Sequence, residues 1–436
     1  MKLLEHKNET HQEIFKMELE ADELEGMLDS AYKQLVKEVA IDGFRKGKAP
    51  RDVLERHVGS EALFDHAMKE YVPSVMDEMM VENKIKAYAN PSVNLISREP
   101  VVFETIVPLP PDITLGDYNS IKMKPNPVEV TGNEVEDILK HAQKEDATLF
   151  STGEPAAMED IVVMDIESDV EGEPYIVAKG DTFQLRPNFR YPAPGFSEEL
   201  EGLKTGDEKE FTLAWPDTFH DKAIAGKNIC FHVKITDVQR EKLPELNDDF
   251  ARRLDPDSAG IDIVRQNVHD NLMARAEGKE REAFETKVID ALVEKSQIAF
   301  PPILVEDEIN HMVNEYIERI RNYTRSEEEC KAVLKDTLND ELRESYRSQA
   351  EQRVKRNLVV SKFVEVDKVE VAEADVDKQI AAITAGYADQ ADTPQGLKDL
   401  QEKTTYLNKP ESREKLRRWL IAIKARQVLA DKAKAD

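Results

Sequence analysis

The sequence predicts an α+β multidomain protein: an α+β N-terminal module, a small mainly β module, and an elongated all-α C-terminal half. Three observations carry this expectation. The chain has 436 residues, too many for one ordinary core and suited to about three domains. Its apolar periodicity changes along the chain, from mixed strand and helix spacing, to short alternating runs, to sustained helical spacing. Charged residues make up 34% and aromatics only 6%, which implies much surface per residue and favours elongated helical modules over one globule.

Residues 12–20 alternate, with Phe15, Met17 and Leu19 on one face and Lys16, Glu18 and Glu20 on the other. That pattern predicts a half-buried strand. Leu24, Met27, Leu28, Ala31, Leu35, Val36 and Val39 follow at helical spacing. A glycine-containing basic loop interrupts at about 41–51. A second helical stretch carries Leu63, Phe64, Ala67, Met68, Tyr71, Val72, Val75, Met76 and Met79, and Pro73 within it is expected to kink or break the helix. Residues 100–107 read as another strand.

Pro108, Pro110, Pro111, Pro125 and Pro127 then cluster, which reads as extended connector. A helix is expected over 131–147, with Thr131 as N-cap and Glu134 completing a capping box. Short alternating runs at 160–170, 208–215 and 228–238, separated by Glu171-Gly172, Thr205-Gly206-Asp207 and Ala225-Gly226-Lys227, predict the mainly β module. Its expected core is Val163, Leu213, Phe231, Val233 and Ile235. From 260 onward helices dominate: one starting with Val264, Val268 and Leu272, one at 303–323 after Pro301-Pro302, a long one at 327–364, then shorter ones to 430. Leu416, Trp419, Leu420 and Ile423 form a narrow stripe in the last. The expected divisions are 1–111, a linker at 112–149, 150–243 and 244–436.

Formal net charge is −28, so bulk attraction to nucleic acid is excluded and any RNA contact needs a local basic patch. Cys230 and Cys330 are far apart and fit no metal spacing or CxxC pair, and read as reduced thiols. The start of the sequence shows no signal-peptide core, and no run reaches the ~20 apolar residues of a membrane helix. A soluble cytoplasmic protein without membrane contact is expected. No GxxxxGK[ST] loop occurs, so nucleotide-driven cycling is not expected. No carboxylate pair, histidine cluster or nucleophile arrangement stands out in 244–436; His269 and His311 are isolated. Residues 411–436 hold eight basic and four acidic side chains and read as a solvated helix face.

The loop Gly43-Phe44-Arg45-Lys46-Gly47-Lys48-Ala49-Pro50 is the strongest motif. With Arg51, it sets four cations against Asp42. Gly43 and Gly47 free the backbone to turn. Phe44 is a bulky apolar group at its entry, and the cations suit phosphate and carboxylate partners. Lying between two helices, the loop is expected to protrude.

Gly43-Phe44-Arg45-x-Gly47-x-x-Pro50 resembles the ribosome-binding signature of bacterial trigger factor, and the order and size of the later modules are similar to that family over nearly all of the chain. The resemblance implies an ATP-independent chaperone docked at the exit tunnel of the large ribosomal subunit. Gly43, Phe44, Arg45, Lys46, Gly47, Lys48 and Pro50 would form the docking loop, with Phe44, Arg45 and Lys46 touching a ribosomal protein and nearby rRNA. It also implies clients that are nascent and unfolded polypeptides, no cofactor or metal, and homodimers away from the ribosome.

Residues 150–243 resemble the family's FKBP-type prolyl isomerase domain. Positions matching its pocket are Phe183, the Pro194-Gly195-Phe196 turn, Phe219-His220 and Phe231, with Leu185 and Ala193 on the floor. Prolyl isomerisation needs no nucleophile; a dry aromatic pocket that favours the twisted amide lowers a barrier of about 18–20 kcal/mol. Phe183, Phe196, Phe219 and Phe231 are therefore the implied catalytic set. Phe183 and Phe231 read equally as core, and the two roles are not exclusive. The family's aromatic–small–glycine on the first strand is replaced by Ile166-Glu167-Ser168, and its acidic-glycine turn by Gly172-Glu173-Pro174-Tyr175. Asp165 has no assignable pocket role. Leu243-Pro244-Glu245-Leu246-Asn247-Asp248-Asp249-Phe250 resembles the entry to the family's chaperone domain, whose helical arms enclose a cradle. Ile309, Met312, Tyr316, Ile320 and Tyr323 would line it, or pack helix on helix. Alternatives are a prolyl isomerase whose flanking domains deliver substrate, or a structural adaptor.

Overall fold

The structure is a computed structural model and describes residues 1–216, 225–324, 326–388 and 393–435. The chain forms two compact units, Met1–Asn126 with Arg281–Asp436, and Pro127–Glu280.

The first unit opens with β1 (Lys2–Glu9) and β2 (Gln12–Glu18), then α1 (Ala21–Glu38), α2 (Arg51–Val58), α3 (Ser60–Glu82), β3 (Ser92–Arg98), β4 (Val101–Pro108) and β5 (Asp112–Thr114). The four longer strands form an antiparallel sheet in the order β1-β2-β4-β3. Met17 sits opposite Phe103 in the β2–β4 register. The alternation read from the sequence therefore places Phe15, Met17, Phe103 and Val107 against Met27 and Ala31 of α1 and Leu63, Ala67, Val72 and Met76 of α3. Pro73 does not break α3, which runs through it; the burial of Val72 and Met76 on either side offsets the one hydrogen bond that proline removes. β1 and β3 gave no sequence signal because they are edge strands whose residues are mostly exposed. An alternating pattern arises only where one face is buried.

The second unit contains α4 (Gly132–Glu145), β6 (Thr148–Ser151), β7 (Ile161–Val170), β8 (Glu173–Gln184), α5 (Phe196–Leu200), β9 (Glu208–Ala214), β10 (Asn228–Lys242), α6 (Asp248–Leu254) and the start of α7 (Ile261–Lys295). The capping box at Thr131 and Glu134 is formed, each side chain bonding the other's backbone N–H. The helix expected at 131–147, within the segment read as linker, is α4, which buries Val135 and Leu139 against Ala251 and Val264. The sheet runs β6-β10-β7-β8, with β9 on β10. Its core is Val162, Met164 and Ile166 of β7, Ile229, Phe231, Val233 and Ile235 of β10, and Phe196 and Leu200 of α5. Val163, expected inside, is half-buried on the other face of β7; in a mixed apolar run a one-residue choice of register exchanges the faces. Asp165 has a structural role: its carboxylate accepts from the Gly180 N–H at 2.9 Å, where the β7–β8 register shifts. Asp160 accepts two bonds from the Arg240 guanidinium, both 2.8 Å, and one from the Ala157 N–H.

The chain returns to the first unit within α7, at Arg281, and continues with β11 (Gln297–Ala299), α8 (Ile303–Tyr323), α9 (Glu327–Thr337), α10 (Asp340–Asp367), α11 (Glu373–Ala388), α12 (Pro394–Leu407) and α13 (Pro410–Ala433). The single long helix expected at 327–364 is two, because Asn339 starts a new one, its side chain accepting from the Leu342 N–H at 2.9 Å. Phe284, Val288 and Leu292 pack with Val359, Val360 and Phe363, and with Ala425, Leu429 and Ala433 of α13. The buried stripe of α13 is therefore its alanine-rich end; Trp419 is half exposed. Ile121 enters this same core, and β5 pairs with β11. Basic residues of α13 are engaged locally: Arg413 and Arg417 both bond Glu373, and Lys432 bonds Asp367. His269 and His311 face nearby carboxylates, Asp270 and Glu315, at the surface. Both cysteines are free.

Arg240 holds the Asp160 carboxyl below its ordinary range, against the opposing effect of burial. A lowered folded pKa gives stability that is complete above the unfolded value and is lost as pH falls through the folded one. Asp160→Asn should therefore lower the thermal midpoint of the Pro127–Glu280 unit at pH 6–7. The difference from the unsubstituted protein should shrink as pH drops below about 4, measured by circular dichroism across pH.

Candidate functional site

The loop between α1 and α2 stands on a small core of its own. Val36, Ala49 and Leu54 are buried together, with Tyr32, Leu35, Val39, Ile41, Val53 and Val58 half-covered around them. The two arms of the loop are joined by hydrogen bonds from the Gly47 N–H to the Val36 carbonyl, 2.8 Å, and from the Tyr32 hydroxyl to the Ala49 carbonyl, 2.9 Å. Turns within it are closed by Phe44 N–H to Ile41 and Lys48 N–H to Arg45. Gly43 and Gly47 have φ of +83° and +82°, a region that favours glycine. Pro50 is the N-cap residue of α2, its carbonyl accepting from Val53 and Leu54.

Above this base, Phe44 is 42% exposed. Arg45, Lys46 and Lys48 are exposed too, and none of the three makes an ion pair among the described residues. Arg51 behaves differently. Its guanidinium bonds Glu25 at 2.8 Å, Asp29 at 3.2 Å and Glu55 at 2.8 Å. Those bonds, Glu25 first and Glu55 next, raise its pKa further above the arginine norm. Read from sequence as part of a basic tip, Arg51 belongs instead to the loop's foot. Of these partners only Glu55 stands at a helical i,i+4 spacing from Arg51; Glu25 and Asp29, like Tyr32, lie on α1, where no local pattern ties them to the loop.

In the β unit the implied isomerase residues gather, with one exception. Phe183 packs edge-on to Phe196, centroids 5.1 Å apart, and Phe196 packs on Phe231 at 4.9 Å. Phe196 and Phe231 are fully buried, as are Leu185 and Ala193. Phe219, with His220, lies outside the described residues. Phe211, which the sequence pattern did not single out, joins the cluster 5.5 Å from Phe231 and 5.6 Å from Phe196. Phe189, also not singled out, lies 6.0 Å from Phe183 and is partly exposed, as is Tyr191 nearby in the chain. In this arrangement Phe196 and Phe231 are packing groups, whereas Phe189 and Tyr191 meet solvent.

The residues expected to line a client cradle divide along α8. Ile309 and Met312 are buried against Ala350 of α10, with Val305, Phe300 and Tyr346 around them. That is helix-on-helix packing, because their i,i+3 spacing faces the neighbouring helix. Tyr316 and Ile320 are half-buried, and Tyr323 is 82% exposed. Among the described residues no His, Cys, Asp or Glu cluster could hold a metal ion, and no helix is long and apolar enough to cross a membrane.

Comparison with known proteins gives a consistent result. A family model described as bacterial trigger factor protein (TF) matches residues 1–142, and a second, for the trigger factor C-terminus, matches residues 260–422. The trigger factor of Dehalococcoides mccartyi strain 195 is 32% identical over 425 residues, 97% of this chain and 93% of that protein. The trigger factor of Staphylococcus epidermidis strain RP62A is 28% identical over 386 residues, 87% of this chain and 89% of that protein. A solved structure of the trigger factor chaperone aligns over 99% of this chain and all of that one, at 18% identity and a TM-score of 0.41. On the two family matches and the D. mccartyi relative, the chain belongs to the trigger factor family.

Proposed function

We propose that this chain is a ribosome-associated, ATP-independent chaperone of the cytoplasm, docked through Phe44, Arg45 and Lys46 at the exit of the large subunit. Residues 1–111 are the docking domain in this reading, 150–243 an isomerase module and 244–436 the client-holding body, with 112–149 joining them. The observation that carries the proposal is the tip itself: an exposed phenylalanine beside three cations that no carboxylate among the described residues neutralises, on a chain of net charge −28. Elsewhere basic side chains such as Arg240, Arg356 and Arg413 bond acidic neighbours. Free cations at a protruding turn are suited to rRNA phosphates and to carboxylates of a ribosomal protein. Gly43, Gly47 and Lys48 shape and charge that turn, and Pro50 ends it. Of the cradle residues, Tyr316, Ile320 and Tyr323 remain available to nascent and unfolded chains. Dimerisation away from the ribosome belongs to the same reading.

Replacing Phe44, Arg45 and Lys46 together by alanine is expected to abolish cosedimentation with ribosomes while leaving the circular dichroism spectrum intact. Undiminished cosedimentation of that variant overturns the docking assignment. In a salt series the parent protein's affinity should fall with rising salt. Removing Arg45 or Lys46 singly should flatten the log–log slope by roughly one for each phosphate that side chain neutralises.

A second reading makes prolyl isomerisation the primary activity, and the clustered Phe183, Phe189, Phe196, Phe211 and Phe231 favour it. A protease-coupled prolyl assay on the full chain tests it; a rate equal to the spontaneous one rejects catalysis. Deletion of 150–243 separates the readings, since a chaperone retains suppression of client aggregation and a substrate-delivering isomerase loses it.

A further inference from the structure

One face of α1 organises the whole loop. Glu25, Asp29, Tyr32 and Val36 follow one another at i, i+4, i+7 and i+11, a single helical stripe. Each makes one bond to the far side of the loop or to its exit. Val36 holds the Gly47 N–H, Tyr32 holds the Ala49 carbonyl, and Glu25 and Asp29 hold the Arg51 guanidinium. Arg51 is the first residue of α2, so these bonds fix the point at which the chain leaves the loop. Its remaining edge bonds Glu55, one turn into the same helix, at 2.8 Å. A planar guanidinium presents fixed donors along more than one edge and is suited to bridging carboxylates on two elements in this way, whereas an ammonium gathers its three donors at one point.

We propose that Arg51 is a positioning residue for docking: it makes no contact with the partner and aims the Phe44-Arg45-Lys46 tip by tying the start of α2 to α1. This inference rests on the docking reading above. It separates two kinds of cation in one basic segment. Arg45, Lys46 and Lys48 are open to a partner, whereas Arg51 is engaged by Glu25, Asp29 and Glu55.

The distinguishing experiment removes the carboxylates rather than the arginine. Glu25→Gln with Asp29→Asn takes away two negative charges beside a basic loop. If charge alone governs docking, ribosome affinity should rise. If Arg51 aims the tip, affinity should fall about two- to tenfold, the scale of two surface ion pairs. The salt slope should then stay unchanged, because every cation that meets a phosphate is still present. Exposed pairs of this kind contribute little to global stability, so the variant should fold. In the free protein, hydrogen exchange at the Gly47 and Lys48 amides should accelerate by a similar factor. Arg51→Lys, which keeps the charge and removes the fork, should reproduce both effects.

Tighter or unchanged binding of Glu25→Gln/Asp29→Asn overturns the proposal, as does unaccelerated exchange at Gly47. Full binding by the Phe44/Arg45/Lys46 alanine variant overturns the docking reading itself, and the aiming role with it. Failure of that variant to bind, together with tight binding by the carboxylate variant, removes the aiming role alone.

Discussion

The first unit depends on one closure, the seating of Ile121 among α7, α10 and α13. Residues from four distant parts of the chain meet there: Ile121, then Val288 and Leu292 of α7, Phe363 of α10 and Leu429 of α13. The backbone joins in, since β5 pairs with β11 and the Met123 N–H bonds the Ala433 carbonyl at 2.9 Å. Closing loops of such length has an entropic penalty that grows only slowly with length, and a fully buried apolar cluster is the kind of packing that outweighs it. This cluster and the β5–β11 pairing join residues 1–126 to residues 281–436 within one unit.

Local chemistry was legible in the sequence, and partnership across distance was not. The Thr131–Glu134 capping box, the start of α8 after Pro301-Pro302 and the runs that became β7, β9 and β10 follow from nearest-neighbour rules. The exposed edge strands β1 and β3 bury no face, so no alternation marked them. Val163 and Val162 are chemically alike, and only the sheet's register chooses which faces the core. The proline-rich stretch from 108 to 127 looked like connector because proline removes donors, yet Ile113 pairs with Ile298 and Ile121 is buried, features that depend on partners far along the chain.

The candidate site shows the same division. The Gly-Phe-Arg motif marked the loop between α1 and α2, and its glycines adopt the positive φ their presence implied. What the linear motif could not show is which cations are free. Arg51 lies close to Lys48 in sequence but is held by Glu25 and Asp29, more than twenty residues earlier. In the β unit a run of aromatics did not distinguish rings that pack on one another, such as Phe196 and Phe231, from those that meet solvent, such as Phe189. On α8 a helical stripe concealed a division between the packed end at Ile309 and the open end at Tyr323.

The discontinuity of the first unit has a consequence for how the protein is made. Translation proceeds from the N-terminus, and segments fold as they become complete. The unit Pro127–Glu280 is contiguous and has all its residues once position 280 has emerged. The sheet of β1 to β4 with α1 and α3 is local to the first 108 residues and needs nothing further. The Ile121 core, by contrast, draws Leu429, Ala430 and Ala433 from the far end of the sequence, so its apolar lining stays open through most of synthesis. A chain that guards others during their emergence would itself present unsatisfied apolar surface until nearly its last helix is released.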